Sequence, residues 1–195
     1  MNVRQDWWGL AQETLLRPRA AARAILALRL PPRVLVELLL LVAILTDLLL
    51  YAELAFGGGA GLLMGLAAPD PLLMWVMQLA SLVMMMVAVQ GLGRLFGGEG
   101  TWAGALALVI WLQTIMIGLG LAQLVLYFLL PPLADLLGLV SLGLLLWLLT
   151  NFTAVLHGFR NLWLVFFGIL VSGVLIVFAL SYLLVILGIL SPGAA

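Results

Sequence analysis

The sequence predicts an all-α integral membrane protein with five transmembrane helices, N-terminus inside and C-terminus outside, preceded by short amphipathic interfacial helices. Three observations carry this expectation. The 195 residues are 66% hydrophobic and 8% charged, with a mean hydropathy of +1.32, whereas soluble domains carry roughly 25% charged residues. Apolar runs of about 20 residues or more, enough to cross a bilayer, are separated by Gly/Pro clusters. All eight basic residues are Arg, and six of them precede residue 34.

Lipid offers the backbone no hydrogen-bond partners, so spanning segments must be helices or close as a barrel. A barrel would alternate apolar and polar residues over segments of about 10. The runs Leu38–Leu45 and Leu142–Leu149 do not alternate, which selects helices. There is no Cys, so disulfides and thiolate metal sites are excluded. An Arg-only basic set with an Ala/Leu/Gly bias points to a bacterial chain, and so to a bacterial inner (cytoplasmic) membrane. The first thirty or so residues carry Arg throughout and lack an apolar core ending in small residues, so no cleavable leader is expected.

Residues 1–33 form the predicted cytoplasmic or interfacial segment. Trp7, Leu10, Ala11 and Leu15 recur at helical spacing opposite Arg4, Gln12 and Glu13, the pattern of an amphipathic helix. Pro18 suits the first turn of a second helix over Pro18–Leu30, where Arg19 and Arg23 share a face. Adjacent Trp7 and Trp8, with Arg17, Arg19 and Arg23, suit contact with an anionic leaflet. The alternative is an arm that packs on the protein's own cytoplasmic loops.

Residues 34–190 form the predicted transmembrane domain, with spans at about 34–55, 72–96, 102–130, 133–156 and 162–190. Pro31 and Pro32 precede the first span. A glycine-rich connector, 57–71, ends in Pro69-Asp70-Pro71, which breaks any helix. Gly97-Gly98-Glu99-Gly100 turns the chain into the third span, Pro131-Pro132 ends it, and His157-Gly158-Phe159-Arg160 leads into the fifth. Spans three and five exceed a ~30 Å core at 1.5 Å per residue, so tilting or protrusion is expected. Residues 191–195 are a short external tail. Arg-rich segments stay in the cytoplasm. With five crossings the 1–33 segment, the Arg94 turn and the Arg160 turn all fall inside, and four or six crossings would break that agreement. Leu95-Phe96-Gly97 with Trp102 also repeats the spacing of Leu156-His157-Gly158 with Trp163, a faint echo of two related hairpins.

Charges within lipid are costly and mark function by default. Asp47 lies near the middle of the first span, flanked by Glu37 and Glu53 towards its ends. Gln113 and Thr114 on span three and Ser141 on span four lie at comparable depth, and Gln78 is a further polar group in a span. Together Asp47, Gln113 and Gln78 form a candidate intramembrane polar site. The bland reading is a carboxyl that joins helices by hydrogen bonds. Gly57/Gly61/Gly65, Gly100/Gly104 and Gly168/Ser172 have the spacing that lets helices approach closely. Met84-Met85-Met86 reads as adaptable packing.

No catalytic, cofactor or metal site is predicted. His157 is the single histidine and lies in an inside turn, out of reach of mid-span Ser172, whereas a nucleophile needs its base within hydrogen-bond distance. No Gly-x-Ser-x-Gly, His-Glu-x-x-His or phosphate-loop motif occurs.

Three segments carry a resemblance to a known family. They are the basic, proline-containing Leu16-Arg17-Pro18-Arg19-Ala20, the turn Arg94-Leu95-Phe96-Gly97-Gly98-Glu99-Gly100-Thr101-Trp102, and the turn Leu156-His157-Gly158-Phe159-Arg160-Asn161. In these and in its five-span layout the chain resembles the Yip family, the Ypt/Rab-interacting membrane proteins and their bacterial relatives. The resemblance implies a polytopic protein of membrane trafficking or organisation without catalytic activity. It does not extend to the long cytoplasmic N-terminal domain of eukaryotic relatives, so GTPase recruitment is not expected. The expected partners are membrane lipids and other integral membrane proteins or further copies of the chain, with no nucleic acid. A small transporter or channel built around Asp47 is the alternative function, and an intramembrane enzyme is the weakest reading.

Overall fold

A computed structural model describes residues 7–56 and 70–186. The described residues form seven helices: α1 (Trp7–Leu16), α2 (Pro18–Ala27), α3 (Pro32–Phe56), α4 (Pro71–Leu95), α5 (Trp102–Leu129), α6 (Pro131–His157) and α7 (Leu162–Ile186). The connector expected at 57–69, with its Gly57/Gly61/Gly65 spacing, lies outside the described residues, as do Arg4 and the tail at 191–195.

Local chemistry sets the helix ends. Pro18, Pro32, Pro71 and Pro131 each stand in the first turn of a helix, where a missing N–H leaves nothing unsatisfied. Asp70 caps α4 by accepting the Leu73 N–H at 3.0 Å. Thr101, in extended conformation, caps α5 by accepting the Gly104 N–H at 3.1 Å. Asn161 caps α7, its Oδ1 accepting from Trp163 and Leu164. Such side chains satisfy the free N–H groups of a helix start. The expected second helix stops at Ala27, short of Leu30, and the chain turns at Arg29 with φ 45°.

The helices α3 to α6 are long and apolar enough to cross a membrane, and the described apolar stretch of α7 is Leu162–Leu175. The centre of the bundle is α5, which alone among the described helices contributes to both buried cores. One core joins Leu108, Trp111 and Leu112 of α5 to Leu148 and Phe152 of α6 and to Ala22 and Ile25 of α2. The other joins Val109 and Ile110 of α5 to Leu35, Leu39 and Val42 of α3 and to Leu82 of α4. Thr46 meets Gln113, and Leu49 with Glu53 meets Gly120, so α3 and α5 run in the same direction. The α6 helix runs antiparallel to α5, since Gly100 meets His157 and Gly138 meets Gln123. The α7 helix packs on α6 and α4. Outward faces carry large exposed apolar side chains such as Leu139, Trp163 and Phe178, as suits helices solvated by lipid tails.

Candidate functional site

Two turns distant in sequence close into one cluster around His157. At the end of α6 the histidine is 4% exposed. Its Nδ1 accepts the Gly100 N–H at 3.2 Å, which leaves Nε2 to carry the ring proton and donate to the Val89 carbonyl at 3.0 Å. Gln90, fully buried, donates from Nε2 to the Gly100 carbonyl at 2.6 Å. A Cβ at Gly93, Gly98 or Gly100 would enter the space of the imidazole, so glycine at these positions lets the ring seat. Phe159 stacks on His157 with centroids 5.5 Å apart.

Both turns end their helices in the same way. Gly97 (φ 80°) and Gly158 (φ 74°) adopt the left-handed conformation, which glycine takes without a Cβ penalty. The Gly98 N–H bonds the Gly93 carbonyl and the Phe159 N–H bonds the Ala154 carbonyl, a Schellman closure of each C-terminus. The echo between the two hairpins therefore has a backbone counterpart. It ends there: Phe96, at the place of His157, is 60% exposed.

The N-terminal arm docks on the bundle across α5 and α6. Ala21, Ala22 and Ile25 of α2 are buried, as is Thr14 of α1. The Trp111 Nε1–H donates to Thr14 Oγ1 at 2.9 Å, and that hydroxyl donates to the Leu10 carbonyl. Trp7 stacks on Trp111 at 6.0 Å while remaining largely exposed, and Trp8 is exposed beside it. Arg17 and Arg23 are exposed, while Arg19 is half-buried with Nε lacking a hydrogen-bond partner. The inward face of α1 is centred on Leu10, Ala11 and Thr14. The expected apolar set placed Leu15 on that face, but Leu15 is 40% exposed. Thr14 takes the inward position because both of its hydroxyl's bonds are met there.

The polar residues of the spans come together in part. Asp47 is 8% exposed and its Oδ2 has no hydrogen-bond partner. Gln113 reaches α3, but its Nε2 donates to Thr46 Oγ1 at 2.8 Å rather than to Asp47. Among the described residues Gln78 makes no side-chain hydrogen bond; its backbone carbonyl accepts from Ser81. The Thr114 hydroxyl donates to the Ile110 carbonyl in its own helix, and Ser141 keeps a buried hydroxyl without a partner. Among the described residues no three His, Asp or Glu side chains converge to hold a metal ion. Gly100 and Gly104 do allow close approach, the second to Leu156 and Leu26. Gly168 has open space around it, and the Ser172 hydroxyl bonds its carbonyl.

The end of α1, all of α2, the four long helices and both turns lie within residues 13–183, which match the family model described as Yip1 domain. The chain belongs to the Yip1 family. It is a polytopic membrane protein. No curated protein and no solved structure matches it. The match runs from the last residues of α1 into α7, so in this Yip1-family chain it takes in α2 together with the bundle. Both turns are legible in the sequence, but their contact is not. The available signal was the density of glycine at 93, 98 and 100 in a chain with one histidine.

Proposed function

We propose that this Yip1-family chain is a non-enzymatic organiser of the membrane that binds other integral membrane proteins or lipids. Its arm forms the contact surface, with Trp7, Trp8, Arg17 and Arg23 outward and Arg19 at the edge of the docked face. The single observation that carries this reading is the anchoring of α1 and α2. Thr14, Ala22 and Ile25 are buried against α5 and α6, so the outward aromatic and guanidinium groups are held on a fixed base. Fixed groups lose less conformational entropy when a partner binds. Tryptophan and arginine together suit an anionic headgroup surface.

In this reading residues 34–190 cross the membrane five times, with residues 1–33 inside, 191–195 outside, and the chain in a bacterial inner membrane. The reading is supported by the clustering of Arg94 and Arg160 at the one end of the bundle where α4, α5, α6 and α7 meet in two turns. Purification in mild detergent followed by mass spectrometry tests the function. Reproducible partners that are lost from a W7A/W8A/R17Q/R23Q variant are the expected result. Recovery of the protein alone, with the same lipids from both forms, would overturn it.

A second reading, a small transporter or channel, draws on one observation: the unpartnered Oδ2 of buried Asp47. Gln113 and Gln78 would be the neighbouring polar groups along its path. Flux through reconstituted protein that D47N abolishes would support it, and unchanged flux would remove Asp47 from any path.

A further inference from the structure

A cavity of about 330 Å³ lies among α4, α6 and α7. Its walls are apolar: Met84 and Met85 of α4, Leu149 of α6, and Val165 and Ile169 of α7. Three hydroxyls interrupt them: those of Ser81 and Ser172 bond carbonyls of their own helices, and that of Thr153 does not. Thr153 of α6, 6% exposed, lines the cavity, and its Oγ1 is buried without a hydrogen-bond partner. Most hydroxyls in these helices bond the carbonyl four residues back, as those of Thr46, Thr114, Thr150 and Ser172 do. Thr153 does not, and a buried hydroxyl left unpaired is unfavourable unless something else meets it.

One end of the cavity lies at the two turns. Gly93, Phe96 and Phe159 stand at the turn end, immediately beside Arg94 and Arg160 in the chain. Both arginines are exposed, and the ion pair found among the described residues is Arg33–Glu37 elsewhere. Along α7 the lining continues from Leu164 to Gly173, about 14 Å at 1.5 Å per residue. Thr153 lies one helical turn in from His157, about 6 Å beyond the arginine end.

We propose that this groove is a binding site for an anionic diacyl phospholipid. The phosphate is held by Arg94 and Arg160, an ester carbonyl accepts from the Thr153 hydroxyl, and one acyl chain lies along Met84, Met85 and Ile169. The order of charged, hydrogen-bonding and apolar groups along the groove matches the order of those groups along such a lipid. Guanidinium groups suit phosphate oxygens, and the methionines give an adaptable wall for a flexible chain. The proposal rests on the membrane-organiser reading for its setting but involves no residue of the arm.

The test is photolabelling of the purified full-length protein in phosphatidylcholine vesicles doped with phosphatidylglycerol carrying a diazirine in its acyl chain. Mass spectrometry then compares labelling at Met84, Met85 and Ile169 with labelling at lipid-facing Leu136 and Leu139 on α6. The expected result is preferential labelling of the groove. It should fall about fivefold in T153V, the worth of one neutral hydrogen bond, and persist in T153S. I169W, which fills the groove, should reduce it to the level at Leu136 and Leu139. R94Q/R160Q should erase the preference for the phosphatidylglycerol probe over a phosphatidylcholine probe. Equal labelling of groove and outer face, or labelling indifferent to I169W, would overturn the site. Groove labelling indifferent to headgroup and to R94Q/R160Q would overturn the anionic assignment. These outcomes are independent of partner recovery by arm variants, so either proposal can fail alone.

Discussion

A single imidazole joins two turns that are 57 residues apart in the chain. His157 gives Gly100 an acceptor and Val89 a donor, and the glycines around it make room for the ring. This arrangement predicts that G93A is destabilising by about 1–3 kcal/mol through overpacking, although alanine is the better helix former. The three atoms nearest the added Cβ all belong to His157. In an H157A background the same G93A substitution should therefore be neutral or stabilising, with a coupling of about 1–3 kcal/mol between the two sites. Thermal unfolding of the four proteins in detergent measures it; additive effects would contradict the contact. None of this was legible from His157 alone, because a lone histidine in a turn satisfies many roles. The turn itself was legible through Gly97 and Gly158. The contact was not, because its partners are backbone groups, which leave no side-chain signature.

Among the elements, the arm separates what periodicity reveals from what it cannot. Helical spacing located α1 and α2, and Pro18 marked the start of the second. Which residues face inward was only partly legible. Apolar side chains are stable facing lipid or headgroups as well as protein, so Leu15 can point outward while Thr14 is buried. What decides is hydrogen bonding: Thr14 accepts from Trp111 and donates to Leu10. T14V should leave the Trp111 N–H without its partner and weaken docking by about 1–3 kcal/mol, whereas T14S should retain it. Limited proteolysis in detergent reads this as faster cleavage near Arg17 in T14V alone. Equal cleavage of the two variants would show that packing of Ala22 and Ile25 holds the arm without the hydroxyl. The candidate polar site shows the same limit. Depth along the spans suggested Asp47 and Gln113 as neighbours, yet Gln113 bonds the adjacent Thr46, because depth fixes level but not rotation about the helix axis.

For the whole molecule, the distribution of arginine determines how the bundle can sit in a membrane. A guanidinium carried across the hydrocarbon core is costly, about 2.5–3.5 kcal/mol on insertion scales, and arginines flanking spans are retained in the cytoplasm. Arg33 lies in the first turn of α3, Arg94 lies in the last turn of α4 and Arg160 precedes α7. The contact between Gly100 and His157 brings the α4–α5 and α6–α7 turns to one end, and α3 starts at that end because it runs parallel to α5. Inverting the bundle would move these arginines, with those of the arm, to the outer face. We therefore expect a reporter that is active only outside the cytoplasm to be active when fused after Ala195, and inactive when fused at the α4–α5 turn. Removing Arg94 and Arg160 together should not invert the protein, because the arm retains most of the basic charge. The expected result for R94Q/R160Q is thus an unchanged reporter pattern, even though the same substitutions alter lipid preference in the groove. An active reporter at the α4–α5 turn in the unmodified chain would contradict the arrangement, since that turn is bonded to the end carrying Arg160.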